Sequence, residues 1–183
     1  MIEITGKYGF LMSNLIEGII ESDASDASDV NDVLLHFAFP SDSDDFKDTE
    51  NMRNIMKYSM KLFDEAMEKG YKIIFASSEA VLHEDTWYSV NKKALEYYIK
   101  DYPNHLILRI PRVYGKDRNK GLIKKLKNGT FKGDKNQILE YMDIDDWVKE
   151  TLKILQYNNI YEYKNKRKET IKEIQEKYIG NKK

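Results

Sequence analysis

Three polar residues stand at a spacing that suits proton transfer to a hydroxyl or carbonyl group. Tyr88 and Lys92 are four residues apart, so on a helix they lie one turn apart on the same face. A lysine ammonium beside a phenol favours the phenolate and lowers the tyrosine pKa, so Tyr88 could exchange a proton with an alcohol or ketone. Ser78 ends an apolar run shortly before the pair, and its hydroxyl could hold the substrate oxygen. Because the chain has 13 tyrosines, Tyr88 and Lys92 could instead be an ordinary pair on the surface. The position of the pair directly after a strand that ends in serine favours the catalytic interpretation.

A second group of residues could bind phosphate. The segment TGKYGFLM at 5–12 lies between a short apolar strand pattern and a helical pattern over 10–20. Gly6 and Gly9 permit a tight turn that brings backbone N–H groups and a helix N-terminus to an anion. An ordinary strand-to-helix turn also uses two glycines, so this pattern alone leaves both interpretations open.

The apolar pattern predicts the elements that would position these residues. Three runs too apolar to face water, at 32–39, 72–76 and 105–110, predict strands buried on both faces. Strands that alternate with helices favour an α/β fold with a parallel sheet covered on both faces. Acidic loops are predicted at 21–31 and 42–48. Further helices are predicted at 52–69, 89–100, 120–128, 145–156 and 167–178, with a last strand at 160–163.

Composition excludes several classes of protein. Thirty basic and 31 acidic residues give a formal net charge of −1, which recommends neither nucleic acid nor an anionic membrane as a partner. The absence of cysteine excludes a disulfide framework and a thiolate metal site, and it fits a reducing cytoplasm. The opening MIEITGKYGF does not resemble a signal peptide, and no apolar run approaches the roughly 20 residues of a membrane span. We therefore expect a cytoplasmic protein.

Several other residues invite a functional interpretation. Residues 115–135 are strongly basic, which suits either a solvated surface or a phosphate. His36 is expected to be structural, and Trp87 to pack rather than to wall a site. Asp143 and the two aspartates at 145–146 suggest a cation, although the start of a helix explains them equally well. With no clustered histidines and no cysteines, we expect no metal site.

Seven segments of the chain resemble, in order, the motifs of one enzyme family. Residues 1–15 resemble a strand, a TGxxGFxG turn and a helix, and DVLLHFAFP at 32–40 resembles the motif DxVxHxAA. The run IIFASSEAV at 73–81 resembles a strand that bears a serine, and residues 88–92 match YxxxK.

The remaining matches lie in the second half of the chain. LILRIPRVYG at 106–115 matches LRxxxVYG, and KGDKNQILEYMDIDDWV at 132–148 resembles GDGxQxRDFxxVDD. Residues 160–174 resemble the strand and helix that follow. Together these motifs resemble the extended short-chain dehydrogenase/reductase family, the NAD-dependent epimerases and dehydratases that act on nucleotide sugars.

The resemblance implies a fold, an activity and a set of site residues. The fold is α/β, a Rossmann-like parallel sheet with helices on both faces, with a reduced domain over 1–115 and a small C-terminal region over 116–183 packed on it. The activity is that of an NAD- or NADP-dependent epimerase, dehydratase or reductase of a nucleotide-activated sugar, in a homodimer paired through the helices at 52–69 and 89–100. The implied site residues are Ser78, Tyr88 and Lys92 for catalysis, Gly6, Gly9, Phe10, Leu11 and Lys92 for the cofactor, and Arg112 and Gln137 for the substrate.

The chain also departs from the family pattern. Between the first helix and residue 32 the family has two strands and a helix that bind the adenosine half of the dinucleotide, whereas only 21–31 fills this interval here. We therefore expect the second and third strands of the usual fold to be missing. Met12 replaces the third glycine of the turn and would crowd the pyrophosphate. Leu139 replaces an arginine that could bind phosphate, and Arg112 replaces an asparagine.

A catalytic triad combined with half a cofactor site leaves three interpretations. A partner chain could complete the site. The protein could bind a smaller ligand, such as a mononucleotide or nucleotide sugar, without redox chemistry. It could also be a non-catalytic protein that is retained for assembly.

Overall fold

Eight strands form two sheets. The computed structural model describes residues 2–21, 32–39, 49–83 and 86–180. The strands are β1 (Ile2–Thr5), β2 (Val33–His36), β3 (Lys72–Ser78), β4 (His105–Ile110), β5 (Val113–Tyr114), β6 (Ile138–Asp143), β7 (Asn159–Glu162) and β8 (Arg167–Thr170). The larger sheet has the order β1-β2-β3-β4-β7, and all of its strand pairs are parallel. The smaller sheet has the order β5-β6-β8.

Helices cover both faces of the larger sheet. The described helices are α1 (Phe10–Glu21), α2 (Thr49–Glu68), α3 (Trp87–Ile99), α4 (Gly121–Lys127), α5 (Ile144–Ile154) and α6 (Ile171–Ile179), with a short 3-10 helix at Glu79–Leu82. Of these, α1, α2, α3 and α5 pack on the larger sheet. Successive residues of a strand point to opposite faces. Accordingly Ile74 packs with core residues of α1 and α5, whereas Phe75 packs with core residues of α2 and α3. These two cores hold the sheet between two layers of helices.

The predicted fold class is confirmed. The sheet is parallel and covered on both faces, because β2 is buried along its whole length and β3 along all but its last residue. Among the described residues, no strand pairs with the outer side of β1, so β1 is an edge of the larger sheet. This is the side on which the second and third strands of the usual fold were predicted to be missing.

The C-terminal half differs from the sequence prediction at several strands. The predicted helix at 167–178 is wrong at its start, because residues 167–170 form β8, antiparallel to β6. Thr170 then begins α6, and its side chain accepts a hydrogen bond from Glu173 N, 3.2 Å away. Strand β6 was not predicted, since its first half is largely exposed and carries no continuous apolar run. Strand β5 and the 3-10 helix at Glu79–Leu82 were not predicted either. The remaining described elements overlap the predicted ones, although β2 ends at His36.

The C-terminal region contributes to both sheets. Helix α5 packs against α1, and β7 pairs with β4 at one edge of the larger sheet. The smaller sheet, α4 and α6 enclose a separate apolar cluster around Tyr141 and Ile174. The division at residue 115 stays a prediction. The predicted acidic loops lie outside the described residues, apart from Glu21 at the end of α1, and no described helix could cross a membrane.

Candidate functional site

The start of α3 places Tyr88 and Lys92 side by side. Thr86 caps the helix: its Oγ1 accepts a hydrogen bond from Ser89 N at 3.2 Å, and Thr86 N donates to Ser89 Oγ at 3.0 Å. This reciprocal cap fixes the first helical turn, which carries Tyr88. Lys92 follows one turn later, and its Nζ lies 5.4 Å from the centroid of the Tyr88 ring. The structure therefore brings together the pair that the i, i+4 spacing predicted.

The Lys92 ammonium is held in a nearly water-free position. The side chain is buried, and its Nζ donates a hydrogen bond to the carbonyl oxygen of Ala76 in β3. The rings of Phe39 and Phe75 lie 4.9 and 5.2 Å from the same Nζ. Burial lowers the pKa of Lys92 to about 7, although the nearby Glu96 carboxylate acts in the opposite direction.

The two serines at the end of β3 have different surroundings. Ser78 is half-buried at the carboxyl edge of the sheet, where its Oγ accepts a 3.3 Å hydrogen bond from Ala80 N. Ser77 is buried and donates to Glu96 Oε1 at 2.5 Å. Because Ser77 is committed to this buried contact, Ser78 is the serine whose position suits a substrate oxygen.

A buried ion pair supports the helix that carries Tyr88 and Lys92. Glu96 is buried and accepts hydrogen bonds from Arg109 in β4, the shortest of them 2.7 Å from Nη2 to Oε2. Arg109 also contacts Glu162 of β7, at 2.7 Å. The sequence analysis missed Glu96, although its position one turn beyond Lys92 on the same helical face could have indicated it. The pair fixes α3 against β3, β4 and β7, and thereby positions Lys92.

The glycine turn lies against the end of β2. Gly6 has a φ of +75°, and a Cβ at this position would lie 2.8 Å from Ala38 N. Gly9 N donates to Gly6 O at 2.8 Å, so the turn is closed. An open groove of about 700 Å³ follows, lined by Ile4, Gly6, Lys7, Tyr8, Gly9, Phe37, Ala38, Phe39, Ile55 and Tyr58. Phe39 also contacts the Tyr88 ring, at 5.9 Å between centroids, so the groove ends beside the tyrosine–lysine pair.

His36 joins the three elements that line this groove. Its Nδ1 lies 2.8 Å from Thr5 Oγ1 at the end of β1, and its Nε2 lies 2.9 Å from Ser59 Oγ in α2. The ring is fully buried and stacks on Phe75. Burial, with a smaller effect of the Lys92 charge, lowers the pKa of His36 to about 4. A neutral histidine bonded on both nitrogens has the structural role that the sequence analysis expected.

Two expectations about apolar residues are wrong. Met12 does not crowd the phosphate position, because its side chain is 1% exposed and packs in the core between α1 and the sheet. The third position of the helix faces the sheet here, not the groove. Trp87 does not pack in a core, since it is 67% exposed at the start of α3. Leu139, which stands where the motif has arginine, packs in the apolar cluster of the smaller sheet.

The predicted substrate residues lie away from the groove lining. Arg112 and Gln137 are both exposed, and neither side chain lines the groove. Their backbone carbonyls accept hydrogen bonds that order the smaller sheet and α6, from Met142 N at 2.8 Å and from Ile171 N at 3.0 Å respectively. Their role in substrate binding stays a prediction.

The aspartates before α5 are explained by the helix. Asp143 is the N-cap of α5 and accepts a hydrogen bond from Asp145 N at 3.2 Å. Its other oxygen accepts from the Tyr178 hydroxyl at 2.5 Å and lies 3.2 Å from Lys177 Nζ. Within the described part of the chain, no group of three His, Asp or Glu side chains could hold a metal ion.

Comparison with solved structures identifies the fold. No protein-family model matches the chain, and no curated protein matches its sequence. Solved structures do match. RMD from Pseudomonas aeruginosa, complexed with NADPH, is 16% identical with a TM-score of 0.70, and the match covers 94% of this chain and 80% of RMD. TunA, an NAD-dependent NDP-hexosamine 5,6-dehydratase involved in tunicamycin biosynthesis, is 18% identical with a TM-score of 0.74, covering 94% and 78%.

A third match has both a cofactor and a nucleotide bound. WbmG from Bordetella bronchiseptica, in complex with NAD and UDP, is 19% identical with a TM-score of 0.70, and the match covers 94% of this chain and 75% of WbmG. These identities show a shared fold. The Rossmann-like fold that the seven motifs implied is therefore confirmed, in a chain shorter than these proteins.

Proposed function

We propose that the protein is an NAD- or NADP-dependent enzyme that modifies a nucleotide-activated sugar, with Tyr88 as the residue that transfers the proton. The observation that carries this proposal is the buried Lys92 ammonium, 5.4 Å from the Tyr88 ring, at the end of the groove that begins at the glycine turn. Parallel α/β sheets bind ligands at the carboxyl ends of their strands, and this pair lies at that edge. The solved enzymes that share the fold support the same general activity.

The residues present fit the nicotinamide and diphosphate half of a dinucleotide. A side chain at Gly6 would collide with the backbone at Ala38, so the glycine lets the turn pass close to the end of β2. Gly9, Phe10 and Leu11 would bring the start of α1 to the diphosphate. Lys92 would contact the nicotinamide ribose. Among the described residues, no strand pairs with the outer side of β1, where the adenosine half would bind.

Each residue of the triad has a separate role. The bound cofactor would supply the hydride acceptor or donor. Tyr88 as phenolate takes the proton of a sugar hydroxyl, or as phenol returns it to a carbonyl. Lys92 in its charged form favours the phenolate. Ser78 donates a hydrogen bond to the substrate oxygen and holds it near Tyr88. Epimerisation, dehydration and reduction can all begin from this arrangement.

Replacement of Tyr88 with phenylalanine tests the proposal. We expect Tyr88→Phe to lower turnover by about a hundredfold to ten-thousandfold, because the variant keeps the aromatic ring but lacks the hydroxyl group that transfers the proton. The control is Tyr157→Phe, an exposed tyrosine that follows α5, which should leave turnover unchanged. The measurement follows NADH or NADPH absorbance with a panel of nucleotide sugars. Unchanged turnover in Tyr88→Phe would refute the assignment.

A second candidate function is nucleotide or nucleotide-sugar binding without redox chemistry. It is favoured by β1, which is a sheet edge in the described part of the chain, where the adenosine-binding strands would otherwise lie. Calorimetric titration with NADH, NADPH and nucleotide sugars distinguishes the two functions. Micromolar dinucleotide binding would contradict the second function, whereas nucleotide-sugar binding without dinucleotide binding would contradict the first.

The predicted homodimer, or a partner chain that completes the site, belongs to the same proposal. Helix α3 exposes Trp87, Val90 and Tyr97, with 67%, 47% and 59% of each side chain accessible. Aromatic residues are enriched at protein interfaces, so these side chains support pairing through this helix. Light scattering during size-exclusion chromatography measures the mass directly. A monomer at micromolar concentration would contradict the homodimer.

A further inference from the structure

Phe39 lies between the groove and the tyrosine–lysine pair. It follows β2, and its N–H donates to Phe37 O at 3.0 Å, which bends the chain immediately after the strand. Gly6 fixes the same bend, because its backbone passes so close to Phe37 and Ala38 that no side chain fits. The backbone of Phe39 is therefore part of a hydrogen-bonded turn at the end of β2.

The ring of Phe39 makes contacts on two sides. On one side it lines the groove, with Phe37 and Tyr58. On the other it lies 4.9 Å from Lys92 Nζ and 5.9 Å from the Tyr88 ring centroid. It is half-buried and packs against the core formed by α2 and α3. Phe39 thus connects the groove lining to Lys92.

The other sides of Lys92 are closed by the protein itself. Its Nζ bonds to Ala76 O and lies over the Phe75 ring, both of which belong to the sheet. Phe75 is fully buried, whereas Phe39 is the contact that also borders the groove. In the motif that 32–40 resembles, an alanine stands at this position, so the aromatic ring is a feature of this chain.

We propose that Phe39 determines which ligands reach Lys92, by closing the path from the groove to the tyrosine–lysine pair. This inference rests on the proposed function insofar as the ligand is a nucleotide whose ribose must contact Lys92. A ligand that binds only by its phosphates stays at the glycine turn. A ligand with a ribose at the reactive end enters when the ring moves aside, so Phe39 weakens dinucleotide binding.

Chemical labelling of Lys92 tests the closure without a cofactor. The protein is treated briefly with acetic anhydride at pH 9.5, where a change in the Lys92 pKa affects reactivity least, and acetylation is measured by mass spectrometry. Lys93, exposed on the same helix, is the internal reference. We expect Phe39→Ala to raise the Lys92:Lys93 labelling ratio at least tenfold. Tyr58→Ala removes another ring from the groove and should change the ratio less than twofold.

A second measurement asks whether the opened site accepts the dinucleotide. NADH is titrated into each variant by fluorescence, and we expect Phe39→Ala to bind at least tenfold more tightly than the wild type, with no tightening in Tyr58→Ala. Circular dichroism checks folding. If Phe39→Ala does not fold, Phe39→Leu, which keeps an apolar side chain without the ring, should show the same changes at smaller size.

The outcomes separate this inference from the proposed function. An unchanged labelling ratio in the folded Phe39 variant overturns the role of Phe39. A raised ratio with tighter NADH binding supports both. A raised ratio in a variant that binds no NADH supports the closure by Phe39 and contradicts the use of a nicotinamide cofactor.

Discussion

Replacement of His36 with asparagine tests whether a buried neutral histidine holds the groove together. In the folded protein the pKa of His36 is lowered to about 4, against 6.5 in the unfolded chain. Below pH 6.5 His36 is therefore protonated in the unfolded chain, whereas in the folded protein it stays neutral until the pH falls to about 4. Stability is consequently lost as the pH falls through this window.

The size of the effect follows from the two pKa values. Between pH 7.5 and pH 4.5, proton uptake by the unfolded chain lowers the free energy of unfolding by roughly 2–3 kcal/mol. His36→Asn lacks this contribution. At pH 7.5 the variant is less stable than the wild type, because asparagine is too short to bridge Thr5 and Ser59. At pH 4.5 the difference in the free energy of unfolding between the two proteins should shrink by roughly 2–3 kcal/mol.

Urea denaturation at the two pH values measures this difference. Comparing wild type with variant cancels the titration of the carboxylates that both proteins share. His83→Asn replaces an exposed histidine and is the control, which should follow the wild type at both pH values. If His36→Asn loses as much stability on acidification as the wild type, His36 is not the buried neutral residue that its hydrogen bonds to Thr5 and Ser59 indicate.

Two further predictions concern the turn and the strand end. Gly6→Ala should lower the free energy of unfolding by about 1–3 kcal/mol, since it adds a collision with Ala38 N to an unfavourable φ. Gly70 has a similar φ, but nothing lies within 4 Å of the Cβ that Gly70→Ala would add. Gly70→Ala should therefore lose less free energy of unfolding than Gly6→Ala, and the difference measures the collision. Equal losses would contradict the collision. Ser77→Ala should cost about 1–3 kcal/mol of stability by removing a hydrogen bond from buried Glu96. Ser78→Ala should cost less stability than Ser77→Ala and should abolish turnover. If denaturation and activity assays show instead that Ser77→Ala abolishes turnover and Ser78→Ala costs more stability, the roles assigned to the two serines are wrong.

The strands with the clearest sequence pattern are those with one environment along their whole length. Strands β2, β3 and β4 are continuous apolar runs because both of their faces are covered. Strand β6 passes from solvent to core and β8 is largely exposed, so neither has a pattern that distinguishes a strand from a helix or loop.

The site was predictable where its spacing is local. Tyr88 and Lys92 lie on one helix, and the helical repeat alone places them together. Glu96 escaped prediction because its role depends on Arg109, which a separate strand brings to it. The direction of Met12 depends on which side of α1 faces the sheet, and that rotation is set by packing against α5.

The pairing of β4 with β7 has a consequence for how the chain matures during synthesis. The edge of β4 at residues 106–109 can pair only after residues 159–162, which form β7, have been synthesised. A nascent chain that has emerged only as far as β4 therefore exposes an unpaired strand edge, which is prone to pair with another chain. Ribosome stalling in this interval should consequently be the step at which aggregation or chaperone capture is greatest.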